Sequence, residues 1–427
     1  MPPLYPDIQI RMDYQHHSLP NGLQIVHRPS ATEVAHLGIV IKAGSRDEQE
    51  HEHGLAHLIE HCLFKGTTHR KAYHILTRLE DVGAEINAYT SKEETCIYAS
   101  FLPVYYERTI ELLTDILFNS IFPPKEVEKE KEVVIDEIHS YQELPYETVN
   151  EHFELKLFPN NQLGKSILGT PKGIKKQSIE NLLAFYKLHY QPENMILSSF
   201  GDIPFRKLCT LTEKYFSKAI KPDLAALKNF YQDPLLSYKP FDAVIKGKTS
   251  QSHCIIGAPA YSCYHPDKYS IALLNNILGG PAMSSRLSYS LREKLGYAYN
   301  VESNYSAFTD SGQLLIYFAT DYQSLEKASD RVYLELKGIR EKKLGDVQLY
   351  KAKQQYIGQM ALSMESNLNQ MISAAKSMMI YDRIEELSEI EAKIESITSE
   401  NILETANEVF NENSMSRLVL QNERKTK

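Results

Sequence analysis

The chain has 427 residues, with 47 Lys and Arg against 55 Asp and Glu, a formal net charge of −8 and five cysteines. This length suggests two or three domains, with enough buried apolar surface to fold without disulfides. The negative charge argues against a nucleic-acid partner. The cysteines are scattered, odd in number and never spaced C-x-x-C, which argues against a disulfide framework or a thiolate zinc site. Because the sequence shows no targeting segment and no apolar run of about 18 residues, we expect a soluble cytoplasmic protein that enters no membrane.

Hydrophobic periodicity divides the first half into short strands and amphipathic helices. Strands are predicted over residues 23–27, 37–42, 86–90, 95–102 and 195–200. Helices are predicted over residues 54–64, 72–82, 103–119 and 126–142, with more helix up to about residue 190. Gly83 is placed to end the second of these helices, and Pro103 to begin the third.

The same order of elements returns in the second half. Strands are predicted over residues 252–258, 299–306 and 313–320, and helices over 268–278, 284–295 and 325–337. Gly83 matches Gly296 at an offset of 213 residues. We therefore predict two copies of one α+β unit: a domain over residues 1–220, a linker over 221–240, where Lys, Pro and Asp accumulate, and a second domain over 241–427.

The segment HGLAHLIEH carries the clearest chemical pattern. His57 and His61 are four residues apart on a predicted helix, so both imidazoles leave the same face. Glu60 lies between them, and a carboxylate beside a zinc-bound water can take its proton. This order, H-x-x-E-H, is the inverzincin form of the zinc-peptidase motif. The alternative is a chance match in which the histidines are solvated or belong to the core.

A catalytic zinc needs a third protein ligand from elsewhere in the chain. In EVEKEKEVVIDEI, Glu130 and Glu137 are two helical turns apart and share a face with Val133 and Val134. A carboxylate on an apolar face is a candidate ligand. The alternative is that this charged run is only the solvated face of a helix.

Four segments together resemble one protein family. They are HLIEH, INAYTSKEETCIY, EKEKEVVIDEI and LGGPAMSSRLSYSLREKLGYAY, in this order along nearly the whole chain. The combination resembles the pitrilysin/insulinase-type zinc metallopeptidases, and is most similar to their short bacterial members and to mitochondrial processing peptidase. The resemblance implies two homologous α+β domains, each a mostly antiparallel sheet covered by helices, that form one half of a clamshell chamber.

The resemblance also implies a metal site and a reaction. His57, His61 and Glu137 would bind one zinc ion per chain, and Glu60 would be the general base for the zinc-activated water. Glu130 would hold a ligating histidine in its tautomer and orientation. The activity implied is that of an endopeptidase which hydrolyses extended peptides inside a closed chamber.

Substrate contacts are implied in both halves. Asn87, Ala88 and Tyr89 fall on the edge strand that receives an extended peptide by strand addition. Arg292 and Tyr299 match the family's Arg/Tyr pair, which helps to bind substrate and stabilise the tetrahedral intermediate. Tyr297 competes with Tyr299 for this assignment. From the residues alone, an ordinary surface arginine and an ordinary strand tyrosine are the simpler interpretation of the pair.

The repeat provides an internal comparison. Aligning Leu63 with Leu278 places Ala272, Asn275 and Asn276 where His57, Glu60 and His61 stand. The second copy therefore lacks a zinc site, and one metal per chain is expected.

The segment RDEQEHEH before the motif is less specific. His51 and His53 could be extra ligands, but the segment is more simply interpreted as a flexible acidic approach to the motif. Since a family chamber takes four such domains, we expect a homodimer, with a heterodimer as the alternative.

Two competing functions remain. The chain could be a noncatalytic partner or scaffold subunit, or it could be a zinc hydrolase acting on another substrate.

Overall fold

The computed structural model describes residues 14–217, 235 and 237–422, and these form two compact units. The first unit comprises residues 14–138, 166–217 and 363–388 of the described chain, and the second comprises the rest. Neither unit is continuous in sequence. A single boundary along the chain can therefore separate the two sequence repeats, but it cannot separate the two compact units. The predicted linker over residues 221–240 falls largely outside the described residues.

The first unit contains a six-stranded mixed sheet in the order β1-β2-β6-β3-β5-β4. Neighbouring strands are antiparallel except for β2 and β6. The strands are β1 (Gln15–Ser18), β2 (Gln24–Pro29), β3 (Ala35–Ile41), β4 (Glu85–Thr90), β5 (Thr95–Phe101) and β6 (Met195–Gly201). The central strands are apolar and buried, whereas β4 at the edge is partly exposed.

The second unit contains a five-stranded sheet in the order β7-β11-β8-β10-β9. Its strands are β7 (Asp242–Gly247), β8 (Ser252–Ala260), β9 (Ala298–Ala307), β10 (Gly312–Thr320) and β11 (Ser416–Asn422). Only β7 and β11 run parallel. The strand β9 lies at one edge, as β4 does in the first unit.

Helices cover these sheets. In chain order they are α1 (Leu55–Leu63), α2 (Ala72–Glu80), α3 (Tyr106–Asn119), α4 (Pro124–Gln142), α5 (Pro145–Leu157), α6 (Pro171–Lys176), α7 (Ile179–His189), α8 (Phe205–Phe216), α9 (Lys268–Gly279), α10 (Leu325–Glu341), α11 (Asp346–Ser363), α12 (Asn367–Tyr381), α13 (Leu387–Ser396) and α14 (Ser399–Val409). A π-helix spans Ser288–Lys294.

Each sheet has apolar side chains on both faces. In the first unit, α1, α3 and α7 supply the main core, and α12 covers the opposite face, where Ala375 and Met378 pack with Val40 and Ile196. In the second unit, α9, α10 and α14 supply the main core. The helix α5 covers the opposite face there, with Phe153 buried among strand residues. Strands that are buried on both sides explain the near-continuous apolar runs in the sequence.

The predicted two-domain α+β fold is confirmed, with differences in detail. The predicted helix over residues 284–295 is largely the π-helix, and periodicity alone does not predict β1, β7 or β11. Val133, predicted on the apolar side of α4, is 48% exposed, because the neighbouring Val134 takes the buried position. No helix in the described ranges is long and apolar enough to cross a membrane.

Candidate metal centre and active site

The N-terminus of α1 is held by a glycine and a buried glutamate. Gly54 precedes the helix with φ +88°, a conformation that glycine adopts without strain, and a Cβ there would come within 2.8 Å of the Cα of Gly169. The Glu48 carboxylate accepts hydrogen bonds from the backbone N–H groups of Gly54 (2.9 Å) and Ala56 (2.8 Å). These contacts satisfy donors that the helix leaves unpaired and anchor the turn that carries His57.

Three predicted ligands meet at one point. His57 and His61 leave the same face of α1, and Glu137 reaches them from α4, so that one donor atom of each lies within 4.8 Å of the others. The Glu137 Oε2 atom is 3.7 Å from His57 Nε2 and 3.5 Å from His61 Nε2. Ligands of a tetrahedral zinc with bonds of about 2.0–2.1 Å are separated by about 3.4 Å. The donor set and its spacing therefore fit a zinc ion.

The buried position of His57 favours the neutral form of its imidazole. Burial, with a smaller contribution from His61, lowers the pKa of His57 to about 3, so its imidazole is uncharged at neutral pH. The two rings meet edge to face with centroids 4.7 Å apart. His57 Nδ1 is buried and has no hydrogen-bond partner among the described residues. A neutral imidazole with a lone pair on Nε2 is the form that coordinates a metal.

Glu130 lies behind the cluster. Its Oε2 atom is 3.3 Å from His61 Nδ1, and its Oε1 atom pairs with Lys65 Nζ at 2.8 Å. A carboxylate that accepts from Nδ1–H keeps the lone pair on Nε2, facing Glu137. Of the two glutamates on α4 that the sequence left open, Glu137 joins the histidines as a candidate ligand and Glu130 contacts His61 from behind.

Glu60 lies beside the cluster but outside the donor set. Thr90 Oγ1, at the end of β4, donates to Glu60 Oε2 at 2.6 Å. Burial raises the pKa of Glu60, while Thr90 and His61 lower it and Glu137 raises it. A carboxyl group with a raised pKa is better matched to accepting and returning a proton near neutral pH.

The predicted substrate strand is an edge. Asn87, Ala88 and Tyr89 lie on β4, which pairs on one side with β5 and has no second neighbour in the described sheet. The Tyr89 hydroxyl donates to Glu94 at 3.1 Å, and Lys376 of α12 forms an ion pair with the same carboxylate. An edge strand of this kind can accept a further extended strand.

Arg292 and Tyr299 belong to the second unit, where the π-helix that carries Arg292 contacts β9. Arg292 Nε donates to Glu293 at 2.8 Å. Tyr299 lies on β9 and is 85% exposed, whereas Tyr297 precedes the strand and packs against the core. Exposure therefore favours Tyr299 over Tyr297 for contact with a ligand, and its role stays a prediction.

Sequence reasoning was wrong about the acidic segment before the motif. Residues 45–52 form two short 3-10 turns instead of a flexible approach, and Arg46 and Glu48 are each 3% exposed. Arg46 pairs with Glu93 at 2.5 Å, and His53 contacts the Ser166 carbonyl oxygen. The partner of Arg46 is 47 positions away and that of His53 is 113 positions away, so no local signal marks these two side chains as part of the fold.

Two family models match the chain. Residues 24–171 match the insulinase family, also called peptidase family M16, and residues 176–356 match the peptidase M16 inactive domain. The chain belongs to the insulinase family. The candidate metal cluster lies within the first matched region, and Ala272, Asn275 and Asn276, which take the corresponding positions in the repeat, lie within the second.

Relatives and solved structures agree with this assignment. The chain is 31% identical over 396 residues to an uncharacterized zinc protease of Bacillus subtilis, covering 92% of this chain and 94% of the relative. It is also 31% identical over 408 residues to an uncharacterized zinc protease of Rickettsia felis, covering 95% and 97%. The crystal structure of a protease from Helicobacter pylori has a TM-score of 0.90 at 22% identity, covering 96% of this chain and 99% of that one. At this identity the structural match shows a shared fold.

Proposed function

We propose that the protein is a zinc-dependent endopeptidase with one zinc ion per chain, bound by His57, His61 and Glu137. The observation that carries the proposal is the cluster itself: three donors at zinc spacing, of which one is a carboxylate, with a second carboxylate, Glu60, beside them and a third, Glu130, behind them. A purely structural zinc site is closed by four protein ligands. Three ligands with an adjacent carboxylate are typical of a hydrolytic site.

The role proposed for each residue follows from the position of its side chain. A zinc ion in this site would supply a water of lowered pKa and polarise the scissile carbonyl. Glu60, oriented by Thr90, takes a proton from the attacking water and returns it to the leaving amine. Glu130 keeps the His61 ring in the orientation that its ligand role requires.

The proposed substrates are extended peptides. Main-chain hydrogen bonds to β4 at Asn87, Ala88 and Tyr89 would bind a peptide backbone with little regard to its sequence. Arg292 and Tyr299 would add donors for the developing negative charge.

The decisive variant is Glu60→Gln, which removes the base and keeps the size and all three ligands. Cleavage of a mixed peptide library, followed by mass spectrometry, should fall by at least a thousandfold. Zinc content, measured by atomic emission, should stay at one per chain. The matched control is Glu80→Gln at the exposed end of α2, which should cleave like the wild type.

Full activity in the Glu60→Gln variant would remove Glu60 from this role. A wild-type chain that holds zinc but cleaves peptides only after a second protein is added would instead show a subunit of a hetero-oligomeric peptidase.

A further inference from the structure

The second unit contains a polar cavity of about 490 Å³ between α9, the π-helix and β9. Its volume is within the range of small-ligand sites. Nine of its lining residues have polar side chains, among them Asn275, Asn276, Arg292, Glu302 and Ser303. All belong to the second unit, so the cavity is complete without the metal centre.

The cavity occupies the place in the repeat that the metal cluster occupies in the first unit. In both units, a helix that contacts the exposed edge strand supplies side chains at positions i, i+3 and i+4. In α1 these are histidine, glutamate and histidine, and in α9 they are Ala272, Asn275 and Asn276. The repeat has thus kept the recess and exchanged the residues that line it.

Asn276 is the strongest sign that the recess receives a ligand. It is only 6% exposed, and its Nδ2 group has no hydrogen-bond partner among the described residues. A buried donor without a partner carries a free-energy cost, because it has given up its hydrogen bonds to water. A ligand with a hydrogen-bond acceptor would remove this cost.

The neighbouring groups are also donors. Asn275 Oδ1 already accepts from Ser303 Oγ at 2.6 Å, so this side chain offers its NH2 group. Arg292 uses Nε for Glu293, which leaves the two terminal nitrogens of its guanidinium. N–H donors and a positively charged guanidinium disfavour the binding of a cation. The metal cluster of the first unit instead presents the lone pairs of His57, His61 and Glu137, which favour it.

The cavity lining contains one carboxylate, that of Glu302, and it is engaged elsewhere. Its partner is the Tyr146 hydroxyl of α5, which covers the opposite face of the sheet. Glu293 remains at the outer side of Arg292 and is half exposed. The recess therefore presents N–H donors and a guanidinium, and its one lining carboxylate is bonded to Tyr146.

We propose that this recess binds a carboxylate group, presented by a peptide or by a small organic acid. Two carboxylate oxygens can accept from Asn276 and from the planar fork of Arg292 together. The π-helix places Arg292 at the rim, and such local π geometry is frequent at binding sites. The site needs no metal and goes beyond the proposed peptidase activity.

The test is calorimetric titration of the full chain, stripped of metal with phenanthroline and dialysed, so that a carboxylate cannot bind zinc instead. The probes are N-acetyl-trialanine with a free C-terminal carboxylate and the same peptide as its C-terminal amide. The acid should bind at least tenfold more tightly than the amide. Equal binding of both, or no binding of the acid, would overturn the proposal.

Two variants locate the effect. Asn276→Leu removes the amide at nearly constant volume, and Arg292→Gln removes the guanidinium from a more exposed position. Each should weaken binding of the acid at least tenfold and leave the amide unchanged. The control is Asn304→Ala, an exposed position on β9 outside the cavity, which should bind like the wild type. Unchanged acid binding in both cavity variants would contradict the assignment.

Competition distinguishes the sources of the carboxylate. Displacement by sodium acetate at concentrations similar to the acid peptide would indicate a small free acid, whereas weak displacement would indicate a peptide end. Because the protein is metal-free in this test, its outcome is independent of the peptidase proposal. A chain that cleaves nothing and still binds the acid would refute the peptidase proposal alone.

Discussion

Three glutamates surround the two histidines, and their neighbours give them different chemistry. Glu137 has an oxygen facing both Nε2 atoms, Glu130 bridges His61 and Lys65, and Glu60 is bonded to Thr90 in a buried setting that raises its pKa. The side chains are identical, so these differences arise from position alone. Each role can be tested by removing one carboxylate at a time.

Glu130→Ala tests the contact behind His61. Without the acceptor, His61 loses the bond that orients its ring, and we expect zinc affinity to fall about 10- to 100-fold. Competition against a chromophoric chelator measures this change. Glu130→Gln, which keeps an acceptor oxygen, should lose less.

The matched control for this prediction is Glu132→Ala, on the exposed side of the same helix. Its zinc affinity should stay within twofold of the wild type. An equal loss in both alanine variants would attribute the effect to α4 as a whole.

At the scale of elements, α1 is fixed by its N-terminal contacts and by α7, which packs against it. α7 ends with His189, a histidine buried at 3% exposure and in ring contact with Phe185. Burial lowers the pKa of His189 to about 4, with a smaller opposing effect from Glu52. Folding therefore keeps this imidazole neutral where an unfolded chain would protonate it.

The pH dependence of stability follows from that shift. The unfolded histidine titrates near 6.5, so the stability associated with His189 is complete above this pH and is lost as pH falls from 6.5 towards 4. Between pH 7.5 and pH 5 the loss is about 2 kcal/mol. The free energy of unfolding can be measured by urea titration of metal-free protein at both pH values. Between pH 7.5 and pH 5 it should fall by about 2 kcal/mol less in His189→Leu than in the wild type.

The exposed His74 on α2 provides the comparison. His74→Leu should keep the wild-type pH slope. An unchanged slope in His189→Leu would show that this ring is not the group responsible.

At the scale of the molecule, each compact unit contains a segment from outside its main stretch of sequence. The segment of residues 363–388 belongs to the first unit, where Ala374, Ala375 and Met378 of α12 cover Val40 and Cys96. Ser198 also donates to the Met371 carbonyl oxygen in this packing. The first sheet is thus completed by residues from the second half of the chain.

A fragment of residues 14–217 should therefore be incompletely folded. It lacks the cover for one face of its sheet, and we expect it to bind the dye ANS and to melt at least 10 °C below the full chain. Adding a synthetic peptide of residues 363–388 should reduce dye binding and raise the melting temperature.

The same peptide with Ala375→Glu controls for nonspecific effects, because Ala375 is fully buried and cannot accommodate a charge there. It should have no effect. A fragment that is stable alone and indifferent to the peptide would contradict this account. The expected homodimer stays a prediction at this scale, to be measured as mass in solution.

Much of the site could be predicted from local sequence. The i, i+4 spacing of His57 and His61 follows from helix geometry, which neighbouring residues determine. The repeat could be predicted for the same reason. Gly83 and Gly296 each follow a helix at corresponding positions of the two copies, and both have the positive φ that favours glycine there. The resemblance to a family then implied Glu137, 76 positions beyond His61 in the sequence.

Other features depended on residues that are distant in sequence and could not be predicted in this way. Thr90 meets Glu60, 30 positions away, because the end of β4 lies beside α1, and Arg46 is buried where it meets Glu93, 47 positions away. The donor-lined cavity forms where α9, the π-helix and β9 come together. Sequence alone determined which residues could bind a metal and in which half of the chain. Only the tertiary structure decided which charges are buried, which strand lies beside the metal cluster or the cavity, and which helix covers each sheet. The reason is that burial and long-range contacts depend on how separate segments pack.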